Sequence, residues 1–294
     1  SFACGANEKD YHYTGLNIKR DVGDVEYVDV AKAYNGGICP VCGKPLKKTE
    51  KSFICEKGHV FDIAKEGYVN LLTGNRAGGG DNPEMVAARR NFLGEDYYKC
   101  LREALRPLVF GTVLDACCGE GYFTQAIAES ADNAFAFDLS KDAVKRAAKK
   151  IENTTFFVGN IANIPVADNS IDVLTHIFAP MHEECARVLK EDGILLQVVP
   201  GKHHLWQMKQ ALYEKPYEND NASNLPPCFR ITEEIRVADI ITVSHERLGD
   251  LIKMTPYGYK TSEAATKKFL ELPQLKTEIE FIIYKAKKIT DNNP

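Results

Sequence analysis

Four residues, Cys39, Cys42, Cys55 and His59, constrain the folding of this chain more than any other feature of its sequence. Their spacing is Cys-x2-Cys-x12-Cys-x3-His. A tight Cys-x2-Cys turn can place two thiolates on one metal ion, and Gly58 lets the second turn fold back. Three thiolates and one imidazole complete a closed tetrahedral site for Zn²⁺. A closed site is structural, because no coordination position remains for water or substrate. The chain holds nine cysteines, an odd count, and shows no secretory core near its start. Its thiols therefore read as metal ligands, reactive groups or core residues rather than disulfides. Residues 38–76 form the expected zinc-binding module. Few apolar residues surround its ligands, so metal binding should contribute most of its folding energy. Its lysines (Lys44, Lys47, Lys48, Lys51, Lys57 and Lys65, with Arg76) outnumber its carboxylates. They read either as a phosphate-contacting face for nucleic acid or as a solvated surface.

Composition excludes several classes. The 294 residues are 44% hydrophobic and 27% charged, with a formal net charge of −4. Those are the proportions of a soluble globular chain with a real core. A polycation would attract nucleic acid globally; this chain can do so only through local patches. No apolar run is long enough to span a bilayer, and the expected location is cytoplasmic. Residues 1–37 read as an extension, 77–110 as a linker with helices, and 111–294 as the main domain. A glycine-rich run at 74–81 reads as a mobile connection, followed by Asp81 or Asn82 capping a helix with Pro83 at its first position. A second helix is expected over 96–110.

From residue 112 strands and helices alternate. Strands are expected over 112–116, 133–137, 155–158, 171–178 and 193–199. Helices are expected over 121–129, 141–150 (with a basic outer face) and 183–189. A strand near 234–243, a helix near 247–254 and a strand near 278–284 follow. This pattern means an α/β fold with a doubly wound, mostly parallel, Rossmann-like sheet.

The segment Asp115-Ala116-Cys117-Cys118-Gly119-Glu120-Gly121 leaves the first of these strands and opens a helix. Glycines there let a ligand approach the backbone at the carboxyl end of a parallel strand. Asp138 ends the next strand, where a carboxylate can accept the hydroxyls of an adenosine ribose. A dinucleotide enzyme shares this geography. Two features favour S-adenosylmethionine instead. Asp115 would repel a pyrophosphate, and Thr124 stands where a third glycine would complete G-x-G-x-x-G. Asn160 follows the third strand, within reach of an adenine. His176-Ile177-Phe178-Ala179-Pro180 ends the fourth strand and would face a transferring methyl group.

Together these pieces resemble the bacterial large-subunit (23S) ribosomal RNA guanine-N1 methyltransferases. The resemblance rests on the Cys/His pattern and on Phe61-Asp62-Ile63-Ala64-Lys65-Glu66-Gly67-Tyr68-Val69-Asn70-Leu71-Leu72. It continues in Ala88-Arg89-Arg90-Asn91-Phe92-Leu93, Cys118-Gly119-Glu120-Gly121-Tyr122, Phe178-Ala179-Pro180 and Met254-Thr255-Pro256-Tyr257. It implies zinc on Cys39, Cys42, Cys55 and His59, and cofactor contacts at Tyr98, Gly119, Glu120 and His204. It also implies a homodimer and methylation of a guanine in a hairpin of 23S ribosomal RNA. The family usually has glycine where this chain has Cys117. His176 and His182 are candidate bases, neither assigned, and Tyr68, Tyr97 and Tyr122 are candidates for stacking on RNA bases. The competing readings are a small-molecule methyltransferase and a non-catalytic, zinc-dependent RNA-binding protein. An NAD-dependent oxidoreductase is disfavoured by Asp115 and Thr124.

Overall fold

The computed structural model describes residues 37–73, 83–257 and 261–290. The expected N-terminal extension up to residue 36, the 74–81 connection with Arg76, and the Asp81/Asn82 cap lie outside the described residues. Pro83 does open the first helix.

Eight strands form one sheet. In chain order its first members are β4 (Val69–Asn70), β5 (Thr112–Ala116), β6 (Asn133–Asp138) and β7 (Thr154–Val158). They are followed by β8 (Ile171–Ile177), β9 (Leu189–Pro200), β10 (Phe229–Ser244) and β11 (Gln274–Lys288). The spatial order is β10-β11-β9-β8-β5-β6-β7-β4. Pairings from β4 to β9 are all parallel, and β11 runs antiparallel to both β9 and β10. Buried parallel strands need apolar side chains on both faces. Accordingly Val113 and Val173 face one core cluster while Leu114 and Leu174 face another. The strand order reverses at β5, which lies between β6 and β8. That reversal opens the crevice where open α/β sheets bind ligands.

Helices cover both faces: α1 (Pro83–Gly94), α2 (Lys99–Leu105), α3 (Tyr122–Ser130), α4 (Lys141–Ala148), α5 (Glu184–Val188), α6 (Trp206–Leu212), α7 (His245–Lys253) and α8 (Glu263–Leu270). Ser140 caps α4, its hydroxyl accepting the Ala143 N–H at 3.3 Å, and Ser262 caps α8 in the same way at 3.2 Å. The expected single helix over 96–110 is shorter. Asp96 takes a left-handed φ of 63°, α2 ends at Leu105, and Pro107 leaves only a 3-10 turn over Arg106–Leu108. Proline has no N–H to continue the α ladder. Residues 83–110 are more than a connection: Phe92, Tyr98, Leu101 and Leu105 are buried in the main core.

The cysteine-bearing segment forms a small antiparallel sheet of β1 (Leu46–Lys48), β2 (Ser52–Cys55) and β3 (Val60–Asp62). It is not free-standing. Its Leu46, Phe53, Cys39 and Cys55 share one buried cluster with Leu114, Phe137 and Phe157 of the large sheet. Its continuation, β4, pairs parallel with β7, and the Leu71 N–H donates to Val158 O at 3.0 Å. The module thus extends the large sheet by one strand.

Candidate functional site

The first site is built by two turns. The Gly43 N–H donates to Cys39 O at 2.8 Å and the Gly58 N–H to Cys55 O at 2.9 Å. Gly43 and Gly58 take φ of 70° and 80°, where a side chain would be strained. The turns bring Cys42 Sγ to 3.7 Å from Cys55 Sγ. His59 Nδ1 lies 3.3 Å from Cys55 Sγ and 3.5 Å from Cys39 Sγ. All four ligand atoms lie within 4.8 Å of one another. Zinc–sulfur bonds of about 2.3 Å place tetrahedral ligands about 3.8 Å apart, so this donor set fits a tetrahedral ion. The eight described cysteines are all unpaired by disulfides.

The second site is a cavity of about 900 Å³ at the crevice between β5 and β8. Its floor is the loop between β5 and α3. Gly119 takes a φ of 56°, and a Cβ built on it would meet nothing within 4 Å, so bare backbone faces the cavity. Gly121 takes a φ of 83°, and its added Cβ would lie 2.8 Å from Ile151 Cδ1. Glycine here serves the packing of α3 against the segment after α4. Cys117, between these strand and helix ends, also takes a left-handed φ of 61° and lines the cavity.

Carboxylates organise the loop. Asp138 accepts the Gly119 N–H at 2.9 Å and the Ser140 N–H at 2.8 Å, tying the loop to the end of β6. Asp115 is buried, and its two oxygens accept the hydroxyls of Thr124 at 2.5 Å and Thr175 at 2.7 Å. Burial pushes its pKa up to about 6, against the lowering effect of the two hydroxyls. Glu120 pairs with Arg90 at 3.0 Å and Arg146 at 3.5 Å, clamping the loop between α1 and α4. On the far wall Tyr98 reaches the cavity, and His204 lies behind it with Nε2 3.0 Å from the phenol oxygen. The Glu280 N–H donates to His204 Nδ1 at 3.3 Å. That leaves the ring proton on Nε2, which donates to Tyr98. Burial lowers the His204 pKa to about 3, so the ring is neutral at pH 7.

Residues 38–76 match the family described as "RlmA, N-terminal", a zinc ribbon, and residues 113–193 match a methyltransferase domain. The 23S rRNA (guanine(748)-N(1))-methyltransferase of Streptomyces fradiae is 31% identical over 252 residues, covering 80% of this chain and 90% of that protein. The chain belongs to the 23S rRNA (guanine-N1)-methyltransferase family. YxjB of Bacillus subtilis is also 31% identical, over 75% of this chain and 86% of its own length. A shorter likeness, 49% identical over 61 residues, covers 21% of this chain and 10% of the proline–tRNA ligase of Persephonella marina. The resemblance to guanine-N1 methyltransferases read from the sequence is thereby established, as is the α/β methyltransferase fold.

Within this methyltransferase fold, Tyr98, Asp115, Gly119, Glu120, Gly121 and Asp138 all line the one cavity. Asn160 and His204 do not reach its wall. The Asn160 side-chain oxygen accepts the Ala162 N–H at 3.0 Å, and His204 meets the cavity only through Tyr98. His176 is buried and also off the wall, its pKa lowered by burial to about 4. His182 accepts the Glu184 N–H at 3.1 Å through Nδ1. Thr175 had no local signal in the sequence; only its register opposite Asp115 reveals it. Among the aromatic candidates, Tyr68 is buried in a core cluster, Tyr97 accepts the Ser244 N–H, and Tyr122 lines the cavity while donating to Asp96 at 2.9 Å.

Proposed function

We propose that this chain transfers the methyl group of S-adenosylmethionine to N1 of a guanine in a hairpin of 23S ribosomal RNA, with a structural zinc ion in the ribbon. The reading is carried by the cavity at the strand-order reversal, where a glycine loop and a strand-end carboxylate stand side by side. When bound, the cofactor supplies an electrophilic methyl. The chain's own work is alignment: bare backbone at Gly119, Asp138 for the ribose, Tyr98 on the opposite wall, and Glu120 holding the loop shut against two arginines. Such positioning is worth several orders of magnitude in rate. N1 lies on the Watson–Crick edge, so the guanine must leave its stack to enter. No side chain is assigned as base for the N1 proton.

Ribosomal RNA and its modification belong to the cytoplasm, where we place the chain. We also assign a homodimer built on β10, the edge strand of the sheet. β10 is 16 residues long, with Ile231 and Ile240 exposed at 42% and 61%. Long exposed edges invite strand pairing. Ile231→Lys/Ile240→Lys should convert a dimer to a monomer in light scattering; a monomeric parent chain would overturn the assignment.

The activity test is direct. Incubation with labelled methyl donor and unmodified 23S ribosomal RNA should yield 1-methylguanosine on digestion. Label confined to a small metabolite would reject RNA as substrate. For the metal, Cys39→Ser and Cys55→Ser should lose bound zinc and destabilise the ribbon.

A further inference from the structure

Resting on the RNA reading, we infer that Phe178 is the surface on which the extruded guanine stacks. Three observations meet at this residue. It follows β8 directly, on the carboxyl side of the strand that forms one bank of the crevice, and it lines the cavity with Ala179 and Pro180. Its backbone takes a φ of 56°, a conformation that is an outlier for a bulky side chain and is held only where surroundings enforce it. The residue nevertheless stays 41% exposed. A phenylalanine serving only the core would be buried without that strain.

The ring packs against other aromatic rings. Tyr98, Phe123 and Phe281 surround it with centroids at 6.3, 6.2 and 5.7 Å. Tyr98 is itself fixed by His204 at 3.0 Å and packs edge-on against Phe281 at 4.8 Å. Phe178 thus sits among three neighbouring rings and still lines the cavity, an arrangement suited to a flat aromatic ligand. Aromatic side chains are the usual platforms for unstacked bases. Because stacking is sequence-tolerant, this residue would set the pose of the purine rather than its identity. Tyr122, also on the cavity wall, is occupied elsewhere: its hydroxyl is bound to Asp96 and its ring lies under Arg102 at 5.1 Å.

Single-turnover methylation of a 23S hairpin transcript, together with calorimetric binding of S-adenosylmethionine, tests the assignment. Phe178→Ala should slow methylation at subsaturating RNA by about tenfold or more, with cofactor affinity unchanged within about twofold. Phe178→Tyr should restore most of the rate. Phe178→Gly, which accepts the positive φ without strain, covers the case in which the alanine variant fails to fold and should be equally slow. With 2-aminopurine in place of the target guanine, binding by the wild-type chain should give lower fluorescence than binding by Phe178→Gly. Wild-type rates in both the alanine and glycine variants would overturn the stacking role while leaving the RNA reading intact. A parallel loss of cofactor affinity would reassign the ring to the cofactor. Absence of methylation by the wild-type chain would reject both readings.

Discussion

Cys117 carries a strain that glycine would not. Its φ of 61° costs an L-residue about 1 to 2 kcal/mol, and it lines the space a cofactor would use. Cys117→Gly should raise unfolding free energy by about 1 kcal/mol in urea titrations and tighten S-adenosylmethionine binding by calorimetry. Looser binding would show that the thiol is a contact rather than an obstruction. Asp115 makes a different prediction. Its folded pKa of about 6 lies above the value of about 3.9 expected for an unfolded aspartate. The folded state therefore binds the proton more tightly. Stability from this group is full below about pH 4 and falls as pH rises to about 6. Asp115→Asn should flatten that slope in unfolding measurements between those limits; an unchanged slope would place the titration elsewhere. The residue scale also shows how far sequence could reach. Asp115 and Asp138 were legible as strand-end acids because a strand end is a local property. Asp115's hydroxyl partner Thr175, sixty positions away in sequence, was not. Nor was the retreat of His204 behind Tyr98, which depends on β11 presenting the Glu280 N–H.

Among the elements, strands β5 to β9 were visible as apolar runs bounded by polar or glycine-containing loops, the signature of strands buried on both faces. The two-residue β4 is too short to carry any period, so its place beside β7 was hidden. So were α6 and α8, whose seven and eight residues span about two turns each. The hidden strand matters because it joins the ribbon to the methyltransferase sheet. Ribbon residues Leu46 and Phe53 pack in a cluster with Phe137 and Phe157, so metal loss should not leave the sheet untouched. Removing zinc with a chelator should abolish amide protection over 38–66 in hydrogen exchange and weaken it at Leu71, whose N–H is bonded to β7. Protection within β5 and β8 should persist, with cofactor affinity kept within about threefold, because a structural ion contributes its binding energy mainly to the module it nucleates. Full protection of 38–66 in the metal-free chain would mean that packing on the sheet, not the ion, holds the ribbon together.

At the scale of the whole molecule, a chain of net charge −4 must meet an RNA hairpin through local positive surface. Two such surfaces adjoin. Lys47, Lys48 and Lys57 are exposed on the ribbon, and Lys149 and Lys150 are exposed at the end of α4. The two are linked where Glu66 of the ribbon pairs with Lys145 of α4 at 3.5 Å, and Lys150 lines the cavity itself. An RNA hairpin held on the ribbon and α4 would therefore lie beside the cavity mouth. Neutralising phosphates releases counterions, so the number neutralised is read from the salt dependence of binding. The triple variant Lys47→Ala/Lys48→Ala/Lys149→Ala should weaken hairpin binding and reduce the log–log salt slope by about 1 for each phosphate left without its lysine. None of the three lines the cavity, so cofactor affinity should be unchanged. Weaker RNA binding with an unaltered slope would mean that these lysines support the fold rather than touch phosphate. Unaltered binding would move the RNA to another face, and the long edge strand β10, assigned above to the dimer, would be the next surface to test.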